Sequence, residues 1–243
     1  MKKLFSGLLK KSAKRPFCSA IVAAAGSSAR MGGENKLLLP LGDMPVLART
    51  LMALERAECI DEIVIAARES ELLTYADLCK AYGITKSCKV VCGGATRVES
   101  VLRACMEANP KAELLAVQDG ARPLVTPELI NEVVRAAARC GAAAPAVSVQ
   151  DTIKVAKERI VCSTPERATL FAIQTPQVFD ASLLKAALQS AWDEKAEITD
   201  DCSAVERLGK EVHLTEGSRE NIKITTPVDL VFARAILEER GEA

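Results

Sequence analysis

The sequence predicts a Rossmann-like, doubly wound α/β domain built on a mainly parallel sheet. Two features of its 243 residues carry that reading. Short, uninterrupted apolar runs alternate with amphipathic stretches, the pattern of strands covered by helices on both faces. The first run opens directly into a loop of small residues, AAAGSSARMGG, of the kind that meets ligands at the carboxyl ends of parallel strands.

Strands are expected at 19–24, 62–67, 89–92, 114–118 and 143–149, with helices at 45–56, 71–82, 95–108 and 127–139. Asp43 and Thr126 stand just ahead of Pro45 and Pro127, which suits a capped helix start with proline in the first turn. From Gln150 to Gln177 the texture changes to short alternating segments and charged turns. A β-ribbon protruding from the main body is expected over 150–177. Helices resume at 182–192 and 203–208, and one closes the chain after Pro227. The lone His213 falls in a strand-like stretch, and one histidine does not make a zinc site.

Acidic and basic residues balance at 32 each, but six of the basic ones fall in the first fifteen residues. Setting those aside leaves 26 basic against 32 acidic, a net charge of about −6 for the body. A broad nucleic-acid footprint is not expected, and an anionic ligand needs a local cationic cluster. We therefore read 1–17 as a basic tail and 18–243 as one domain that includes the ribbon. No apolar run approaches the ~18 residues of a membrane span. The nine cysteines are odd in number, form no C-x-x-C pair and mostly sit in or beside apolar runs, as at Cys59, Cys88, Cys92 and Cys105. They read as small hydrophobes of a reducing, cytoplasmic compartment.

Three constellations carry chemistry. In the first, the strand-to-loop run ends in Gly26 and Ser27 and is followed by Arg30 and Lys36. Small residues let backbone N–H groups approach a polyphosphate, and two cations stand beside them. The loop lacks both G-x-x-x-x-G-K-[ST] and G-x-G-x-x-G. A tight turn with two solvated cations is the lesser alternative for this loop by itself. The second, Cys92-Gly-Gly-Ala-Thr-Arg97-Val-Glu-Ser100, again follows a strand and opens a helix. Ser100 or Arg97 could read a base or sugar there, although a glycine turn with a helix cap explains it alone. The third ends a strand in Asp119 with Arg122 three places on. Asp119 could hold a ribose, a substrate hydroxyl or Mg²⁺, or simply form a surface pair.

Together AAAGSSARMGGENK, GGATRVES, QDGARP, DTIK, TPQVF, ITDD and NIKIT resemble, in order and spacing, the 2-C-methyl-D-erythritol 4-phosphate cytidylyltransferases of the non-mevalonate isoprenoid pathway. The resemblance runs from Cys18 to the C-terminus and implies the nucleotide-diphospho-sugar transferase type of fold. It implies that Arg30 and Lys36 stabilise charge at the α-phosphate of CTP. The Ala24, Ala25, Gly26 and Ser27 backbone would cradle the triphosphate, and Gly94, Ala95, Ser100 and Asp119 would complete the CTP site. Asp119 and Arg122 would line the substrate side, where Lys223 and Arg167 fix the methylerythritol phosphate near Thr152, Thr175 and Thr199. Arg167 would come from the partner subunit of a homodimer with exchanged arms. Mg²⁺ would travel mainly on the CTP phosphates. Ala23, Ser28 and Gln118 stand where many relatives have Pro, Gly and His, and none of these differences removes a charge. A ribitol-5-phosphate cytidylyltransferase shares this plan. A sugar-1-phosphate nucleotidyltransferase using another nucleotide and a silent nucleotide-binding protein are further alternatives.

Overall fold

The computed structural model describes residues 15–26 and 35–242. Its first half runs β1 (Cys18–Ala23), a short ladder of β2 (Pro40–Leu41) with β3 (Met44–Pro45), α1 (Val46–Arg56), β4 (Glu62–Ala67), α2 (Leu72–Ala81) and β5 (Cys88–Cys92). Then follow α3 (Arg97–Glu107), β6 (Leu114–Asp119), α4 (Pro127–Cys140) and β7 (Ala142–Ser148). β1 lies parallel to β4 on one side and to β6 on the other, and β4 lies parallel to β5. The chain thus builds outward from β1 to β5, then crosses back through α3 to set β6 on the opposite flank. The carboxyl ends of β1 and β6 meet at this switch point, where open α/β sheets form their ligand crevice.

The second half contributes β8 (Val155–Lys157), β9 (Ile160–Ser163), β10 (Phe171–Ile173), β11 (Gln177–Asp180), α5 (Ala181–Asp193), α6 (Asp201–Arg207), β12 (His213–Glu216) and α7 (Pro227–Arg240). Side-chain alternation explains the unbroken apolar strands. Ala20 and Val22 of β1 pack with α1, α2, α4 and α7, whereas Ile21 packs with α3, α5 and α6 on the other face.

The ribbon is smaller than the sequence suggests. Only β8 and β9 form an antiparallel hairpin, turned by Glu158 and Arg159 at φ 50° and 67°, left-handed values that suit a tight hairpin. β10 pairs antiparallel with β7, and β11 is wedged antiparallel between β6 and β7. The expected 150–177 boundary is therefore corrected, because residues 171–177 join or adjoin the main sheet. Val178 and Phe179 are wholly buried there. Non-local pairing with β6 covers a segment whose proline and polar residues read locally as a turn.

Caps follow the sequence in part. Thr126 accepts a hydrogen bond from the Leu129 N–H, Pro127 opens α4, and Gly141 closes it at φ 84° in the left-handed region. Asp43 does not cap α1. Pro45 takes the cap position without a side-chain bond, and Asp43 pairs with Arg49 Nη2 at 2.8 Å. The nine cysteines are free, but Cys92 and Cys162 are exposed, so Cys92 is not a core hydrophobe as expected. Among the described residues no helix is long and apolar enough to cross a membrane.

Candidate active site

A cavity of about 390 Å³ opens at the switch point. On the β1 side it is lined by Ala24, Ala25 and Gly26, with Lys36 and Leu37 where the described chain resumes. Ala24 N–H donates to Ala66 O at 2.9 Å, which carries the β1–β4 ladder to the cavity's edge. The turn between β5 and α3 supplies a second wall. A Cβ on Gly93 would stand 2.8 Å from Ala25 Cβ and 3.0 Å from Ser100 Oγ, so glycine is what lets these two loops touch.

The start of α3 is held from within. Thr96 caps the helix by accepting from the Glu99 N–H at 3.2 Å. Ser100 Oγ accepts from Gly94 N–H at 3.0 Å and donates to Thr96 O at 2.8 Å. Glu99 Oε2 accepts from Ala95 N–H at 2.7 Å. Gly94, Ala95 and Ser100 all line the cavity, but these three polar groups are spent on the shape of the turn.

Asp119, 5% exposed at the end of β6, organises the opposite wall. Its Oδ1 accepts from Arg97 Nη1 at 2.8 Å, and its Oδ2 lies 2.8 Å from Lys223 Nζ and 3.5 Å from Arg122 Nε. Arg97 reaches on through Nη2 to Asp201 Oδ2 at 2.7 Å. Burial alone would raise the Asp119 carboxyl, but the Arg97 guanidinium and the Lys223 ammonium hold it well below the usual carboxylate range. Burial pushes the Asp201 carboxyl up, with only Arg97 opposing it. Three cations thus face at most two carboxylate charges, and Lys36 adds a further cation to the same cavity. An excess of positive charge around a glycine-rich crevice suits a phosphorylated ligand.

Other expected site residues are placed differently. Arg122 is buried behind Asp119, with Nη1 donating to Asn221 O at 2.6 Å. Thr175 is buried, and its hydroxyl accepts from the Asp119 N–H at 3.1 Å. Thr199 is exposed beside a neighbouring cavity that shares Thr96 and Arg97 with the first. Thr152 and Arg167 are exposed in the segment between β7 and β10, where Arg167 Nη1 donates to its own chain's Gln150 O at 3.0 Å. Neither lines this chain's cavity. Ser27 and Arg30 lie outside the described residues, as do residues 1–14 of the basic tail. The sequence reading missed Asp201 as the second partner of Arg97. Residues 104 apart in the chain give no local signal of pairing.

Fold and site place the chain among the α/β nucleotidyltransferases. The model of the IspD family, 2-C-methyl-D-erythritol 4-phosphate cytidylyltransferase, matches residues 18–239. A protein of that name from Bacillus cytotoxicus is 44% identical over 218 residues, covering 89% of this chain and 96% of its own. One from Halalkalibacterium halodurans is 44% identical over 223 residues, covering 91% and 97%. The crystal structure of 4-diphosphocytidyl-2C-methyl-D-erythritol synthase from Anaerococcus prevotii superposes with a TM-score of 0.83 at 32% identity, covering 92% of this chain and 96% of that one. The chain belongs to the 2-C-methyl-D-erythritol 4-phosphate cytidylyltransferase family.

The charge cluster yields a stability test. Asp119→Ala strands Arg97, Arg122 and Lys223 without their shared acceptor. It should cost about 3 kcal/mol, the low end for a broken buried pair because Arg97 and Lys223 keep part of their surface in water. Urea unfolding of the variant measures this directly, and a loss under about 0.5 kcal/mol, the scale of an ordinary surface substitution, would show that the cluster does not hold the site together.

Proposed function

We propose that the chain transfers CMP from CTP to 2-C-methyl-D-erythritol 4-phosphate, forming 4-diphosphocytidyl-2-C-methyl-D-erythritol and pyrophosphate. The observation that carries this reading is one cavity at the sheet's switch point lined by both Lys36 and Lys223. The membership of the family supplies the substrates. A phosphate oxygen of the methylerythritol phosphate attacks the α-phosphorus of CTP, and the bond from that phosphorus to the bridging oxygen breaks, releasing pyrophosphate. The attacking phosphate is already anionic and needs no general base. Positioning and charge stabilisation therefore supply most of the catalysis.

In this reading Ala24, Ala25, Gly26 and Ser27 cradle the triphosphate, with Lys36 and Arg30 at the developing charge. Gly94, Ala95 and Ser100 shape the wall that receives cytosine and ribose. Lys223, fixed by Asp119, meets the methylerythritol phosphate, with Arg122 and Thr175 bracing Asp119 from behind. Thr152, Thr199 and Arg167 complete the second substrate's site, Arg167 across a homodimer. The exposed apolar residues of the hairpin, Val155, Ile160 and Val161, support such a partner. Among the described residues no cluster of three metal-ligating side chains occurs, and Asp119 is already engaged by three cations. The donor set therefore fits Mg²⁺ carried by the nucleotide phosphates, where it would offset their charge, rather than a protein-built metal site. The free thiols fit a cytoplasmic setting.

Pyrophosphate release from CTP with the methylerythritol phosphate tests the proposal, with ribitol 5-phosphate and UTP as the competing substrates. Turnover should require CTP and favour the methylerythritol phosphate. The two lysines then separate the subsites. Lys36→Ala should lower kcat by about 10²–10³, as loss of one transition-state donor does. Lys223→Ala should raise KM for the methylerythritol phosphate by about 10- to 150-fold, the value of one charge-assisted phosphate contact, while KM for CTP changes less. A larger rise for CTP would move Lys223 to the nucleotide side.

Arm exchange has its own signature. Arg167→Ala and Lys36→Ala should each be nearly inactive as homodimers. When both are co-expressed, half the dimers are mixed, and each mixed dimer has one site with both lesions and one intact. Activity should return to roughly a quarter of wild type. Verified mixed dimers without recovery would place Arg167 in its own chain's site or outside the reaction.

A further inference from the structure

Lys36 lies between two residues that are pinned to different helices. On its far side Leu37 is 4% exposed, and its carbonyl accepts from the Leu47 N–H of α1 at 2.9 Å. On its near side the Asn35 amide is held by side chains around the start of α2. Asn35 Nδ2 donates to Glu71 Oε1 at 2.5 Å and to the Tyr75 hydroxyl at 3.0 Å, and Asn35 Oδ1 accepts from the Leu37 N–H at 3.1 Å. Glu71 is 8% exposed and Tyr75 wholly buried. The same carboxylate accepts from the Tyr75 hydroxyl at 3.0 Å, from Arg68 Nε at 3.0 Å and from Arg68 Nη2. A nearly buried carboxylate with four donors is a costly and rigid feature unless all are satisfied. Here the donors are Tyr75 on α2, Arg68 in the turn that leads into it, and Asn35, the residue before Lys36.

A lysine ammonium on a four-carbon stem has wide rotamer freedom, so its reach is set by where its backbone stands. We propose that Asn35, clamped by Glu71 and Tyr75, is a positioning residue that sets the Lys36 ammonium against the phosphates; this rests on the role given to Lys36 above. The carboxylate does not touch substrate. It acts through Asn35, and Asn35 acts through the backbone of Lys36 by holding both Leu37 N–H and the helix.

The test measures Asn35→Ala and Tyr75→Phe, each alone and combined with Lys36→Ala. Tyr75→Phe keeps the buried ring and removes only the hydroxyl, so it tests the clamp even if a larger change at Glu71 prevents folding. Asn35→Ala should lower kcat by about 10- to 100-fold, the scale of an ångström-sized misplacement. Its KM for CTP should change by less than about 3-fold, since transition-state contacts rather than uniform binding are lost. Tyr75→Phe should shift kcat the same way by a smaller factor. In the Lys36→Ala background neither substitution should lower kcat further, because the group they position is gone. Wild-type kcat in Asn35→Ala, or losses that multiply with that of Lys36→Ala, would overturn the inference while leaving the transferase reading intact. Full turnover in Lys36→Ala itself would overturn both the role of that lysine and this inference. An unmodified protein that releases no pyrophosphate would instead refute the transferase reading.

Discussion

Asp119 stands at the end of a central strand with its carboxylate shared among Arg97, Arg122 and Lys223, and most of the site's geometry depends on that arrangement. Three like-charged groups would otherwise spread apart into water. A buried carboxylate gathers them onto one wall, and its own backbone is tied through Thr175 to the segment that leads into β11. The strand that wedges between β6 and β7 thus serves the site as well as the core. It fills the sheet with Val178 and Phe179 and holds Thr175 beneath Asp119.

Lys36 and Lys223 line the same cavity from two different segments of the chain. Lys223 is shared with Asp119, so it presents an oriented ammonium rather than a free positive field. Lys36 lines the other side of the cavity together with the small residues Ala24, Ala25 and Gly26. Two phosphorylated substrates repel each other as they approach. In the proposed reaction, separate cationic positions for the two phosphates would let both bind while their reacting atoms are brought close.

Much of the core was legible because its signals are local. Uninterrupted apolar strands between amphipathic helices located β1, β4, β5, β6 and β7, with only β4 matching at both ends and the others displaced by a residue. Thr126 with Pro127 marked the start of α4. What escaped was non-local. β11 begins where the expected ribbon ends, and its place between β6 and β7 rests on pairing with strands distant in sequence. The sequence left Arg97 between reading a base or sugar and merely opening a capped helix, and gave no sign that its guanidinium spans Asp119 and Asp201, partners that only the folded sheet brings together. Asn35 sits inside the quoted motif before Lys36, but its pairing with Glu71, 36 positions on, gave no local signal.

Asp119 remains ionised because its cations hold it so. A carboxyl whose pKa is lower folded than unfolded contributes stability that is present above the unfolded value, about 3.9 for an aspartate, and lost as pH falls through the folded one. Carbon-13 NMR titration of the Asp119 side-chain carboxyl, assigned by its absence in Asp119→Ala, reads this directly. The expected result is a carboxyl that stays ionised below the ordinary aspartate range until the fold itself gives way. A carboxyl that titrates at or above about pH 4, with the protein still folded, would contradict the account.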